Sequence, residues 1–136
     1  MSYISKALCT MIIVTCSSTC LSQDTPSPFK KLYNKNGLLV EFIFYSEGNG
    51  VYNNGVVIFL TNNNEFDVTY SFSLIFRATS IDKTEKVSGY LKAGEKKVGS
   101  NEGLYFIPFK DDKSITEVGI KSCKVEKHTE RQSIIN

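Results

Sequence analysis

A chain of 136 residues has room for one ordinary domain and not for two. Its 16 Lys and Arg stand against 14 Asp and Glu, scattered rather than clustered, so it has no field to gather nucleic acid or an anionic membrane. One histidine, His128, leaves little for histidine-based catalysis, and with the single cysteine that remains once an N-terminal leader over 1–22 is removed, a tetrahedral zinc site would have to be built largely from carboxylates.

In chain order, a positive charge at Lys6 is followed by an uncharged, mostly apolar run over 7–14 and a small, polar exit over 15–22. That is the order of a secretory leader, with an apolar core too short to cross a bilayer. Cleavage is expected between Ser22 and Gln23, with Cys20 and Ser22 at the two small positions. Residues 1–22 therefore read as a signal peptide, and the protein as exported to the periplasm, cell surface or medium. Lipid attachment at Cys16 or Cys20 is the alternative, but the residues before them lack the leucine and small residue of such sites. Loss of the leader removes Cys9, Cys16 and Cys20, leaving Cys123 alone, so no disulfide within the chain is expected. No later stretch is apolar for the roughly 18 residues that a transmembrane helix needs.

Residues 23–28, with two prolines, read as a flexible lead, 29–126 as the domain and 127–136 as a disordered tail. Within the domain the apolar period is two. Val68, Tyr70, Phe72, Leu74 and Phe76 alternate with Thr69, Ser71, Ser73, Ile75 and Arg77, which predicts a central strand with one face to the core. Residues 38–45 and 56–61 are apolar almost throughout and predict two more strands, separated by the turn chemistry of Gly48-Asn49-Gly50 and Asn53-Asn54-Gly55. Residues 83–91 predict a weaker strand with Gly89 at a bulge, 93–97 a loop, and 104–109 a strand ended by Pro108. The last strand, 115–125, changes apolar phase between Ile120 and Cys123, which predicts a bulge near Lys121-Ser122 that turns Cys123 inward. With residues 29–33 this gives about seven strands and no helix: an all-β, antiparallel sandwich, or a small closed barrel of the same pattern.

The run from Gly55 to Asn62, followed by Asp67 to Phe76, resembles immunoglobulin-like accessory domains of exported bacterial proteins. Leu91-Lys-Ala-Gly-Glu95 and Leu104-Tyr-Phe-Ile-Pro-Phe109 resemble their later loop and strand. The resemblance implies a fold and an address, and no catalytic residue. It lacks the tryptophan and core cysteine pair of antibody domains.

Chemistry-bearing residues are few. Glu41 interrupts an apolar strand, but the sequence pairs it with no second acid, as glycoside hydrolysis would require. Asn62, Asn63, Asn64, Glu65 and Asp67 offer oxygen ligands for calcium in one loop, although turns use the same residues. Tyr45, Tyr52, Tyr90 and Tyr105 fall outside the core phase and form the candidate contact surface, for another protein or a cell-surface glycan. The expectation is a non-enzymatic interaction domain with no cofactor and no metal. A carbohydrate-binding module, which needs two coplanar tyrosines on one face, and a hydrolase, which needs a cleft with two carboxylates, are the rivals. An inhibitor presenting the loop 92–102 to a protease is a special case of the first reading.

Overall fold

The computed structural model describes residues 27–46, 52–111 and 113–130. The segment 1–22 read as a leader, the Gly48-Asn49-Gly50 turn and residues 131–136 of the expected tail lie outside them. Eight strands are present among the described residues: β1 (Lys30–Lys35), β2 (Leu38–Tyr45), β3 (Gly55–Asn62), β4 (Val68–Ala78), β5 (Ile81–Leu91), β6 (Lys96–Val98), β7 (Tyr105–Phe106) and β8 (Glu117–Lys127). They form two antiparallel sheets. Sheet A runs β1-β2-β3-β6, with β7 also on β3, and sheet B runs β5-β4-β8.

The sheets pack face to face because alternation gives each an apolar face. Leu38, Val40 and Phe42 from β2, with Val56, Ile58 and Leu60 from β3, meet Val68, Tyr70, Phe72, Leu74 and Phe76 from β4. All eleven are buried, and Leu91, Leu104, Phe109 and Ile115 close the ends of this core. A two-layer β architecture follows, as the period of two predicts.

Local chemistry sets the connections. Asn36 and Gly37 both take positive φ (53° and 72°) in a two-residue turn that pairs Lys35 with Leu38. Such a mirror-image turn matches the twist of the strands that it joins. On β8 the expected bulge is present. Ser71 faces Lys124 while Ser73 faces Lys121, and Ser122 sits at φ 54°. Cys123 is thereby turned against the core, yet stays half-exposed.

Four expectations are corrected. Residues 93–97 are not all loop: Lys96 and Lys97 begin β6, held to Thr61 and Leu60 of β3. The strand over 104–109 shrinks to Tyr105–Phe106, because Leu104 makes only an isolated bridge to Gly99 and Pro108 has no N–H to give. The tail does not start at 127. Lys127 closes β8, and the His128 N–H donates to the Asp67 carbonyl at 2.8 Å.

Gly89 is the fourth, since β5 pairs with β4 without a register shift and has no bulge there. A Cβ on Gly89 would lie 2.6 Å from the Tyr70 hydroxyl oxygen, so the glycine makes room for a neighbouring ring. Gly89→Ala should therefore cost about 1–3 kcal/mol as overpacking, and Tyr70→Phe should relieve part of that cost. Denaturant melts of the two single variants and the double variant check the coupling.

Candidate functional site

The two sheets differ on the faces they turn away from the core. On sheet B, registered pairs place Thr69, Ser71, Ser73 and Arg77 beside Tyr90, Ser88, Lys86 and Asp82 on one side, and Glu126, Lys124, Lys121 and Glu117 on the other. Arg77 is shared by Asp82 (3.4 Å) and Glu117 (3.0 Å). This is a solvated polar surface. The outer face of sheet A instead carries Leu39, Ile43 and Tyr45 from β2, Val57 and Phe59 from β3, Val98 from β6 and Tyr105 from β7, in register across the strands.

Two shallow depressions mark the ends of this apolar face. One, of about 280 Å³, is lined by Tyr45, Val57, Gly99, Ser100 and Tyr105. Its two tyrosine rings meet edge to face, 5.7 Å apart and at 83°. The second, of about 270 Å³, lies along Phe29, Glu41, Phe59, Thr61, Lys96 and Val98. There Phe29 sets its ring against Phe59 at 4.8 Å and 89°. Glu41 is half-buried on this face, opposite Lys31 on β1 and Phe59 on β3. No second carboxylate lines that depression.

Of the four tyrosines predicted as contacts, the structure brings two together. Tyr45 is 48% exposed and stands beside Tyr105, because β7 pairs with β3 just where β2 ends. Tyr52, 77% exposed, lies in the β2–β3 connection and lines neither depression. Tyr90 is on the outer face of the opposite sheet, half-buried, and away from Tyr45 and Tyr105. Its hydroxyl donates to Asp67 Oδ2, and its ring packs edge-on against His128 at 4.8 Å. Sequence reasoning passed over Phe29, Phe59 and Val98. Their signal was the nearly unbroken apolar character of β2 and β3, where one solvated face should have produced alternation.

The remaining polar residues are committed to structure. Asp67 accepts from Tyr90 and from the Ala93 N–H (2.9 Å), and these bonds hold its carboxyl below the usual carboxylate range. The same hydrogen bond pushes the Tyr90 phenol up to about 12. The sign of each effect is fixed. Stability from Asp67 is present above the unfolded carboxyl range and is lost as pH falls through its lowered folded value. Stability from Tyr90 is present below 10 and is lost as pH rises through about 12. Thermal melts of wild type and Asp67→Asn should therefore converge at both extremes of pH, and Tyr90 should ionise at about 12 in an ultraviolet titration.

Cys123 lies near Tyr33 where β8 meets β1, and burial pushes its thiol up. In the loop proposed for calcium, Asn62 turns its oxygen to the Asn64 N–H (3.1 Å) and side-chain amide (3.0 Å). Among the described residues, no group of three or more His, Cys, Asp or Glu is arranged to hold a metal ion. Among them, too, no helix is long and apolar enough to cross a membrane.

No family model, curated protein or solved structure matches this chain.

Proposed function

We propose that the chain is a non-enzymatic interaction domain, that its contact surface is the outer face of sheet A, and that its partner is another protein. The observation that carries this reading is the asymmetry of the two outer faces. Sheet B turns out serine, threonine and paired charges with only Ile75 and Tyr90 as large apolar side chains, whereas sheet A turns out Leu39, Ile43, Tyr45, Phe59, Val98 and Tyr105. A contiguous apolar patch with a polar rim is what protein partners cover, and tyrosine suits such contacts. The flanking Lys31, Lys96 and Glu41 would supply the rim.

The glycan reading is weaker on geometry. A sugar ring stacks on an open aromatic platform, and Tyr45 and Tyr105 stand at 83° to one another rather than coplanar. The hydrolase reading lacks a second acid beside Glu41. The leader over 1–22 supports work outside the cytoplasm. An immunoglobulin-like arrangement is supported by the crossing from sheet A to sheet B between β3 and β4, and by the return of β8 beside β4.

The test is photocrosslinking from single positions in the native cell. Probes at Tyr45 and Val98, at opposite ends of the face, should trap one common protein, and a probe at Ser71 on sheet B should not. Tyr105→Glu should abolish the adduct. Equal yields from both faces would overturn the proposal, as would a protein that binds glycans and yields no protein adduct.

A further inference from the structure

The edges of the two sheets are not alike. β6 and β7 are three and two residues long, β1 has a register shift between Lys31 and Tyr33, and β8 is bent by its bulge. Short strands, irregular register and bulges all discourage pairing with another chain. β5 is neither short, irregular nor bulged, and its edge is guarded by charge alone, at Asp82, Lys83, Glu85 and Lys86. It is 11 residues long, pairs with β4 without interruption from Ala78↔Ile81 to Val68↔Leu91, and has no strand on its other side among the described residues. In an antiparallel pair every second residue directs its N–H and C=O away from its neighbour, so that side of β5 offers a row of open backbone groups.

Charge decides what can occupy it. The half of β5 next to the β4–β5 turn, exposed except for half-buried Glu85 and buried Val87, reads Ile81-Asp-Lys-Thr-Glu-Lys-Val87. An antiparallel copy of the same strand, with a two-fold axis at Thr84, sets Lys83 opposite Glu85, Asp82 opposite Lys86 and Ile81 opposite Val87, each pair occurring twice. A shift of two residues in either direction puts Lys83 on Lys83 or Glu85 on Glu85, and a shift of one turns every side chain to the wrong face. The four charges thus reject neighbouring registers and accept one. Within the chain Lys83 already pairs with Glu85 (3.1 Å) and Asp82 with Arg77 (3.4 Å), whereas Lys86 has no ion pair among the described residues, and Asp82 of the second copy would give it one. Ile81, 46% exposed, would gain an apolar neighbour.

We propose that β5 pairs antiparallel with β5 of a second copy about a two-fold axis at Thr84, joining two three-stranded sheets into one of six. The surface differs from the outer face of sheet A, so this inference stands whether or not that face has a partner. With about seven residues on each side, far fewer than the ~20–30 of a standard stable interface, the dimer is reversible.

Sedimentation of the full chain over a wide concentration range is the test. Wild type should show a concentration-dependent dimer. Lys83→Glu places like charges opposite each other twice and should weaken the dimer by about tenfold or more. Lys83→Glu combined with Glu85→Lys restores opposite charges and should restore the dimer. A wild type that stays monomeric at about 500 µM, well above the micromolar range where a reversible dimer should assemble, overturns the proposal. So does a Lys83→Glu variant of unchanged affinity, or a failed rescue.

Thr84→Cys reads the axis directly. Facing residues of an antiparallel pair have Cα atoms about 4.5–5.5 Å apart, within reach of a disulfide. Oxidation should yield a linked dimer whose peptide pair carries position 84 twice. Ser88→Cys, with its two copies about 27 Å apart along the strands, should yield no 88–88 link. A dimer that links at 88 and not at 84 has another register and refutes this one.

Discussion

Phe76→Ala is expected to cost about 3–5 kcal/mol of folding stability, the range for emptying a core aromatic site. Phe76 is fully buried on β4, between Lys83 of β5 and Val118 of β8. Its ring crosses the core to lie 5.5 Å from that of Phe106 on β7, so it joins the two sheets as well as its own strands. The strands around it are hydrogen-bonded on both sides, and the cavity can collapse only in part. Ile75→Ala, one residue away on the outer face, should cost about 1 kcal/mol, because that side chain is half-exposed and leaves no enclosed void. Small domains are stable by only about 5–15 kcal/mol. The difference between the two variants should therefore be plain in a denaturant melt, and comparable losses would mean that the two faces of β4 are assigned the wrong way round.

That contrast rests on alternation, the part of the fold most legible in the sequence. Val68 to Phe76 alternates without a break, and the phase change between Ile120 and Cys123 located the bulge, because a pleated strand cannot turn both sets inward. Asn36-Gly37 forms the two-residue turn between β1 and β2, a hairpin signal that sequence reasoning passed over. What else escaped depends on partners far along the chain. Lys96 and Lys97 look like a solvated loop, and become strand only because the edge of β3 is open beside them. Gly89 looks like a bulge, and is instead the space that Tyr70 needs. The candidate site divides in the same way. The apolar outer face was readable in β2 and β3, whereas the meeting of Tyr45 with Tyr105 needs the pairing of β7 with β3. The tie that holds the Tyr90 hydroxyl depends on Asp67, which the register of β4 against β5 brings beside it.

Asn62 shows how a residue read as ordinary turn chemistry can hold the fold. It ends β3 with its side chain fully buried, although it is polar. Its amide nitrogen donates to the carbonyls of Phe66 (2.9 Å) and Lys92 (3.0 Å), and its oxygen accepts from Asn64. Asn64 in turn donates to the Asn36 carbonyl at 3.0 Å. One side chain thus ties together the β1–β2 turn, the β3–β4 turn and the β5–β6 connection. Asn62→Ala takes the donor from two part-buried carbonyls and should cost about 1–3 kcal/mol. Asn62→Asp keeps the shape and reverses the chemistry, since a carboxylate would face two carbonyl oxygens with no hydrogen to offer. That repulsion and burial raise the carboxyl pKa in the folded state above its unfolded value near 3.9. By linkage, the loss relative to wild type is small in acid, where the protonated group can still donate one hydrogen bond, and grows as pH rises through the folded value. Melts of Asn62→Asp against wild type at pH 4 and pH 7 should therefore show the larger gap at pH 7. A gap of the same size at both would mean that the residue merely fills space, and that the three loops are held by their backbones.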